Sequence, residues 1–313
     1  MADPVALAAL ALDAVIGWPD ELYRRLGHPV GAFARIIEAC ERRWNQPSRG
    51  EPTRRLLGVV TVLMLVATAG GITLALQALC IAALGPWSWV AVAALAWPAL
   101  AQRSLYDHVR PVAVALEAGD IAAARHAVSM ICGRDTRDLD AAALARAAIE
   151  SLAESFCDGI AAPLFWLIVG GLPGVWIYKA INTADSLIGH REPRWRAFGW
   201  AAARTDDVLN LLPARIGAVV ICLAGRGGWT TMWRDHGRHA SPNAGWTEAA
   251  MAGVLHLQLA GPVSYDGQVH AKAWIGDGRA DATAADVRRA LAVHVRACLL
   301  LGAMAAGLSL RGW

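Results

Sequence analysis

Leu56 to Leu84 reads LLGVVTVLMLVATAGGITLALQALCIAAL, a stretch without one charged residue. A helix needs roughly 20 apolar residues to cross a bilayer core, so this segment is long enough to span one. The composition agrees with it. Of 313 residues, 56% are hydrophobic and only 18% charged, with a mean hydropathy of +0.38, whereas a soluble domain carries about 25% charged residues. Gly85-Pro86 leaves room only for a tight turn. Trp87 to Leu100 then runs back as the second limb of a helical hairpin, and its tryptophans (Trp87, Trp89, Trp97) suit a membrane interface.

Other apolar stretches follow. Ala290 to Leu310 is interrupted only by His294 and Arg296, which are expected to reach toward the interface. Val5 to Gly17 is short, holds Asp13 and lacks the positive start of a signal peptide, so it reads as a retained helix. Ile160 to Ile181 is broken at Gly170-Gly171-Leu172-Pro173-Gly174. It is either one straight span or a re-entrant pair of half helices. A break at membrane depth is tolerated only where protein or a water-filled cavity satisfies the backbone, so it hints at a site. Val208 to Ala224 is apolar again, with Pro213 and Arg215 in its first half.

The expectation is an all-α polytopic membrane protein with about four to six membrane segments, one of them broken or re-entrant. It is a single integral membrane domain over 1–313 with polar inserts at 101–158 and 225–289. Val30 to Trp44 has helical periodicity, with Phe33, Ile36, Ile37 and Cys40 on one face. The first insert reads as helices over Val112–Ala118, Asp120–Cys132 and Leu139–Phe156; the second holds a short β element around Val263 to Trp274. The net charge of +3 rests almost wholly on arginine, the lysines being Lys179 and Lys272. No polybasic tail occurs, which argues against nucleic acid. Six scattered cysteines without a C-x-x-C pair argue against a disulfide framework or a structural zinc site. The arginines of Glu21–Arg55 and Ala101–Asp158 fall on one side if the hairpin spans twice, and the positive-inside rule makes that side cytoplasmic.

Four polar constellations stand beside the apolar segments. Glu150, Glu154 and Asp158 recur at i, i+4 and i+8 along one helical face. Like charges at that spacing repel, so a divalent cation or cationic substrate would relieve them; a solvated acidic face is the plainer alternative. Lys179, Asn182 and Ser186 share a helical stripe with Asp185 beside it. Ionisable groups at membrane depth are costly and usually functional, though a lysine ending an apolar run also serves as a snorkelling anchor. Arg204, Asp206, Asp207, Asn210 and Arg215 could bind metal and phosphate together. Equally, Thr205 with the two aspartates could open a helix as its cap. Ser241-Pro242-Asn243-Ala244-Gly245-Trp246 is a turn that starts a helix and can offer backbone N–H groups to an anion. P-loop, G-x-G-x-x-G, H-E-x-x-H and G-x-S-x-G signatures are all missing. His28, His190 and His256 are isolated and read as ordinary hydrogen-bonding histidines.

Taken in order, these stretches resemble one family, the adenosylcobinamide-phosphate synthases (CobD/CbiB) of cobalamin biosynthesis. The resemblance rests on Asp13, Gly17, Pro19 and His28-Pro29-Val30; ESLAESFCDGIAAPLFW (150–166); YKAINTADSLIGH (178–190); FGWAAARTDDVLNLLPAR (198–215); and SPNAGWTEAAMAGVL (241–255), with LAGPVSYDG after it. One departure stands out. Where the family reads Glu-Asn-x-Ser-Asp-Gly, this chain has Glu154-Ser155-Phe156-Cys157-Asp158-Gly159.

The resemblance implies a cell (inner) membrane enzyme whose site faces the cytoplasm. It would join aminopropanol, its phosphate or ethanolamine phosphate to a corrin carboxylate of adenosylcobyric acid, using ATP and Mg2+. On that reading Glu150, Glu154, Asp158, Asp185, Asp206 and Asp207 are catalytic, with Glu154, Asp158, Asp206 and Asp207 as metal ligands. Lys179, Asn182, Ser186, Arg204, Asn210, Arg215, Ser241 and Asn243 hold substrate and phosphates. Other late cobalamin-pathway enzymes are expected partners. A corrinoid or solute transporter and a non-catalytic pathway scaffold are the rival readings; liposome flux without ATP consumption marks the first, and dispensable acidic clusters the second.

Overall fold

A computed structural model describes residues 4–133, 135–265, 268–270 and 273–310. The chain divides into two compact units. One is drawn from Met1–Ala101, Ala162–Asn210 and Ala305–Trp313, the other from Gln102–Ala161 and Leu211–Met304.

The first unit is built round α4 (Glu51–Leu84), which is helical throughout the charge-free stretch. At 1.5 Å per residue it is roughly 50 Å long. It ends at Gly85, whose φ of 50° turns the chain and whose N–H returns to Ile81 O. The expected hairpin follows: α5 (Ser88–Ala96) packs against α4 and against α1 (Val5–Ile16). After α2 (Asp20–Leu26), helix α3 (Val30–Trp44) lays the expected apolar face on the core. Ile37 and Cys40 meet Val62, Leu65 and Ala69 of α4, and Ala180, Ala184 and Ile188 of α9 (Ala162–Ile188).

α9 breaks at Gly171, where φ 60° and ψ −154° interrupt the helix. A break strands the N–H groups of the half that follows. Pro173 has none to strand, and Leu172 N donates to Gln77 Oε1 at 2.9 Å. Gln77 is the polar side chain that α4 carries through its apolar stretch to this point. Gly174 lies so close to Trp166 that an added Cβ would sit 2.4 Å from its carbonyl oxygen.

α10 (Trp200–Leu209) follows a short loop, and its start corrects one reading of the sequence. Thr205, Asp206 and Asp207 do not open this helix. They lie in its second half, and Thr205 Oγ1 turns back to Ala201 O at 2.8 Å. The helix begins at Gly199 because the backbone there abuts Ile188, and because Phe198, Ala201 and Ala202 complete the core.

The second unit holds α6 (Gln102–Glu117), α7 (Ile121–Ser129), α8 (Ala141–Phe156), α11 (Leu211–Gly225), α12 (Trp229–Asp235), α13 (Ala244–Leu255) and most of α14 (Ala284–Leu310). Asp120 and Asp140 cap α7 and α8, accepting from Ala123 N and Ala143 N at 2.9 and 2.7 Å. Helix α6 starts ten residues before the expected Val112 and runs through Pro111. An interior proline costs about 3 kcal/mol. Burial of Val109, Val112 and Ala113 on either side of it holds the helix together. His294 does not reach for the interface: it is buried, and its Nε2 meets Gln102 O at 3.0 Å. Arg296 donates to Ala224 O at the end of α11, where a cation suits the helix dipole.

α13 is buried on every side, as a helix at the centre of a bundle must be. The expected β element is present as two antiparallel pairs: β1 (Leu259–Ala260) with β4 (Trp274–Ile275), and β2 (Val263–Tyr265) with β3 (Gln268–His270). Asp266, Gly267 and Lys272, singled out in the sequence, lie outside the described residues.

Among the described residues, three helical stretches are long and apolar enough to cross a membrane, within Glu51–Glu117, Ala141–Ile188 and Ala284–Ser309. Trp200–Leu209 with Leu211–Gly225, bent by 49°, makes a fourth if the pair is one span. This is the architecture of a multi-pass helical membrane protein.

Two outcomes follow from these contacts. Gln77→Leu leaves Leu172 N–H without a partner and should cost about 1–3 kcal/mol, read as a lower melting temperature in detergent; an unchanged melt would mean that the amide is satisfied elsewhere. The second concerns Asp235, buried under Arg234 (2.7 and 2.9 Å) and Gly276 N (2.8 Å). Hydrogen bonds from Arg234 hold its carboxyl below the usual range. Its stabilising effect is therefore complete above the unfolded value of about 3.9 and is lost as pH falls through the lower folded value. Asp235→Asn should melt lower at pH 7, with the gap to wild type constant down to about pH 4 and closing below it. A gap that widens on acidification would overturn the assignment.

Candidate functional site

Each unit gathers its own polar cluster. In the second, a cavity of about 310 Å³ is walled by Glu150, Ser151, Glu154 and Ser155 of α8, His239, and Glu248 of α13. Glu150 is buried and its Oε1 accepts from Ala260 N at 2.9 Å, which ties β1 to α8. Glu248 is buried too and stands 3.6 Å from His239 Nε2. His239 Nδ1 accepts from Ser241 N at 3.0 Å, so in the neutral ring the proton sits on Nε2, facing Glu248.

Ser241 spends its hydroxyl on the start of α13, accepting from Asn243 N at 3.2 Å and Ala244 N at 3.3 Å. Asn243 Oδ1 takes a hydrogen bond from Arg215 at 3.3 Å, and the Arg215 guanidinium lies 4.8 Å from the Trp246 ring centroid. The fold thus joins Arg215 to Ser241 and Asn243, which the sequence had set in separate constellations, and Ser241 and Asn243 serve partly to hold the turn.

The acidic row does not continue as a single face. Helix α8 ends at Phe156, and Cys157–Ala161 forms one π turn. The wider turn departs from the i, i+4 register, and Asp158 falls within it. Such turns often mark functional positions.

In the first unit the cluster lies between α9 and α10. Asp206 is buried, and each of its oxygens accepts a hydrogen bond: from Asn182 Nδ2 at 3.3 Å and from Asn210 Nδ2 at 3.0 Å. Tyr178 OH donates to Asn210 Oδ1 at 3.1 Å, and Lys179 Nζ to Asn182 Oδ1 at 3.3 Å. Ser186 Oγ donates back to Asn182 O at 2.9 Å, within its own helix. Arg204 pairs with Asp207 at 3.0 Å. Asp185 backs onto Gly189, whose N–H donates to its carbonyl at 2.7 Å. His28 stands at the edge of this cluster: burial first, and then the Lys179 ammonium, push its imidazole below the ordinary value.

Of the expected ligand and catalytic residues, Lys179, Asn182, Asp206 and Asn210 are thus joined in one network, with Asp185, Arg204 and Asp207 on the same two helices. Glu150 and Glu154 share the cavity of the other unit. Among the described residues no group of three or more His, Cys, Asp or Glu side chains has the arrangement of a metal site. Magnesium does not require one, since it commonly takes one or two carboxylates and completes its shell with water and substrate phosphates. The sequence reading missed Tyr178, His239 and Glu248 as site residues. Tyr178 and Glu248 lay within quoted motifs; His239 carries no spacing signal, because what places it is packing.

The comparisons agree on a family. A profile described as CobD/Cbib protein matches residues 6–294. A cobalamin biosynthesis protein CobD from Rhodobacter capsulatus is 48% identical over 295 residues, covering 93% of this chain and 92% of the relative. Its namesake from a Sinorhizobium species is 46% identical over 303 residues, 94% of each chain. The one from Rhizobium meliloti is 46% identical over 312 residues, 95% and 94% of the two. No solved structure matches. With motifs that run in the same order from Asp13 to the β element, the chain belongs to the CobD/CbiB family of cobalamin biosynthesis proteins.

Proposed function

We propose that the protein is an ATP-dependent C–N ligase of the inner membrane that works on the cytoplasmic side. It joins aminopropanol, its phosphate or ethanolamine phosphate to a corrin carboxylate of adenosylcobyric acid, giving adenosylcobinamide or its phosphate. The observation that carries this reading is the cavity of about 310 Å³. It stands at the small end of ligand pockets, roughly 300–1,000 Å³, which suits a three-carbon amino alcohol. Its wall of glutamates and imidazole offers proton acceptors.

An aliphatic amine is an ammonium ion at neutral pH, with a pKa near that of lysine, about 10.4. It becomes a nucleophile only after losing a proton. Glu248, oriented toward His239, and Glu154 on the opposite helix would bind the ammonium and take that proton. ATP, bound with magnesium, would supply the phosphoryl group that converts the corrin carboxylate to an acyl phosphate. The amine nitrogen then bonds to the acyl carbon and phosphate leaves. In the second unit Arg215 would hold phosphate oxygens, and in the cluster of the first unit Lys179 and Arg204 offer the same chemistry, since catalysis of this kind is mostly positioning and charge stabilisation. Asp206, fixed by two amides, would keep Asn182 and Asn210 in place.

The test is product mass from purified protein given adenosylcobyric acid, ATP, magnesium and each amine in turn. Amide that appears only with all components supports the ligase. Glu248→Gln should then lower kcat by about 100-fold or more, with its melting temperature little changed. Wild-type turnover in that variant and in Asp206→Asn would remove both residues from the chemistry. Corrin binding without product, together with flux into liposomes, would favour a carrier, the role that broken spans such as α9 serve elsewhere.

A further inference from the structure

One end of the first unit is strongly basic. Residues 41–55 and 191–196 carry eight arginines against three glutamates. The fold draws these two stretches together. Arg194 pairs with Glu41 at 2.9 Å and Arg196 with Glu51 at 2.7 Å. Asn45 Nδ2 donates to Arg194 O at 3.0 Å. Two of the three acids are thus each engaged by an arginine of the 191–196 loop, and a surplus of positive charge remains. Among the described residues no ion pair engages Arg43, Arg49 or Arg55. Arg43 and Arg55 are exposed.

The depth of this face is set by α4. Arg54 and Arg55 lie in the first turns of that helix and directly precede its charge-free stretch. The arginines therefore stand where the hydrocarbon core gives way to headgroups. Two tryptophans sit at the same level: Arg55 lies 5.0 Å from the Trp200 ring centroid and Arg194 5.0 Å from that of Trp195. Tryptophan is enriched at this boundary.

We propose that this face docks the phosphates of anionic lipids. A guanidinium presents forked donors that match a phosphate, and it sheds its water more readily than an ammonium. An anionic leaflet attracts basic groups within a Debye length, about 8 Å at physiological salt. The plane of lipid phosphates lies at the depth where Arg43, Arg49 and Arg55 lack acidic partners. The interaction fixes which leaflet this end of the protein meets, and it holds the α3–α4 junction and the 191–196 loop against it.

The test is thermal melting of the whole protein in a neutral detergent, titrated with short-chain phosphatidylglycerol, with phosphatidylcholine of the same chain length, or with inorganic phosphate. Phosphatidylglycerol should raise the melting temperature, and the other two should not reproduce that rise. In Arg43→Gln/Arg49→Gln/Arg55→Gln the apparent phosphatidylglycerol affinity should fall about a hundredfold (about a factor of five per charge), while the melt in phosphatidylcholine matches wild type. An undiminished response in the triple variant overturns the proposal. So does an equal rise with phosphatidylcholine, or with inorganic phosphate, which would make the face a general detergent effect or a soluble-anion site. Should the triple variant melt early without lipid, Arg43→Gln alone, on the exposed face of α3, carries the same comparison.

Discussion

Inside a bilayer every backbone N–H has to find its partner within the protein, and at Leu172 that partner is Gln77. The placement of the first polar cluster depends on this one amide. Helix α9 could not break at Gly171 without it, because the half that follows would carry an unsatisfied donor into the hydrocarbon. Once the break is capped, the second half of α9 points its own stripe toward α10. Tyr178, Lys179 and Asn182 reach Asn210 and Asp206 from there. Trp176 Nε1, donating to Leu95 O at 3.0 Å, and Trp166 Nε1, donating to Leu209 O at 3.1 Å, pin the two halves to their neighbours. The break is thus held at several points, which is what distinguishes a built feature from a flexible one.

The same rule governs the acids. A buried carboxylate is expensive unless it is hydrogen-bonded or paired. Asp206 meets that requirement with two amides, Glu150 with a backbone N–H, and Asp235 with a guanidinium and Gly276 N. Two of the three have an evident architectural purpose: Glu150 ties β1 to α8, and Asp235 clips α12 to the chain leaving the β element. Glu248 is harder to explain by stability. It stands on a helix buried on every side, with its carboxylate on the cavity wall beside His239. A local choice that opposes the fold's own interest is the expected mark of a functional position.

Helix periodicity and punctuation were legible because they are local. The charge-free span, the turn at Gly85, the amphipathic α3 and the ends near Asp120 and Asp140 follow from nearest-neighbour chemistry, and so does the break at Gly171. What failed was decided at a distance. The helix expected from Val112 starts at Gln102, because packing on both sides carries α6 through Pro111. His294 reads as interfacial, yet the carbonyl of Gln102, far away in sequence, draws it inward. The Glu150–Glu154–Asp158 row assumed an unbroken α-helix, and a π turn leaves no mark in single-residue propensities. The candidate residues divide the same way. Asn182, Asp206 and Asn210 drew notice as polar groups beside apolar runs, whereas Tyr178 and His239 look unremarkable until helices from elsewhere in the chain are laid against them.

The departure from the family's Glu-Asn-x-Ser-Asp-Gly pattern can be weighed on this footing. Its two altered positions are not equivalent in space. Ser155 is on the cavity wall, beside Glu154 and Ser151. There a serine in place of asparagine shortens the side chain and replaces an amide, with two donors and an acceptor, by one hydroxyl. Cys157 is buried in the π turn, and a thiol there behaves as a small apolar group in place of a hydroxyl that would need a partner. The second change therefore bears on packing and the first on what the cavity accepts. A roomier wall with fewer donors alters the hydrogen bonding the cavity offers without touching the carboxylates. If this protein differs from its relatives in the amine it prefers, position 155 is where the difference is written.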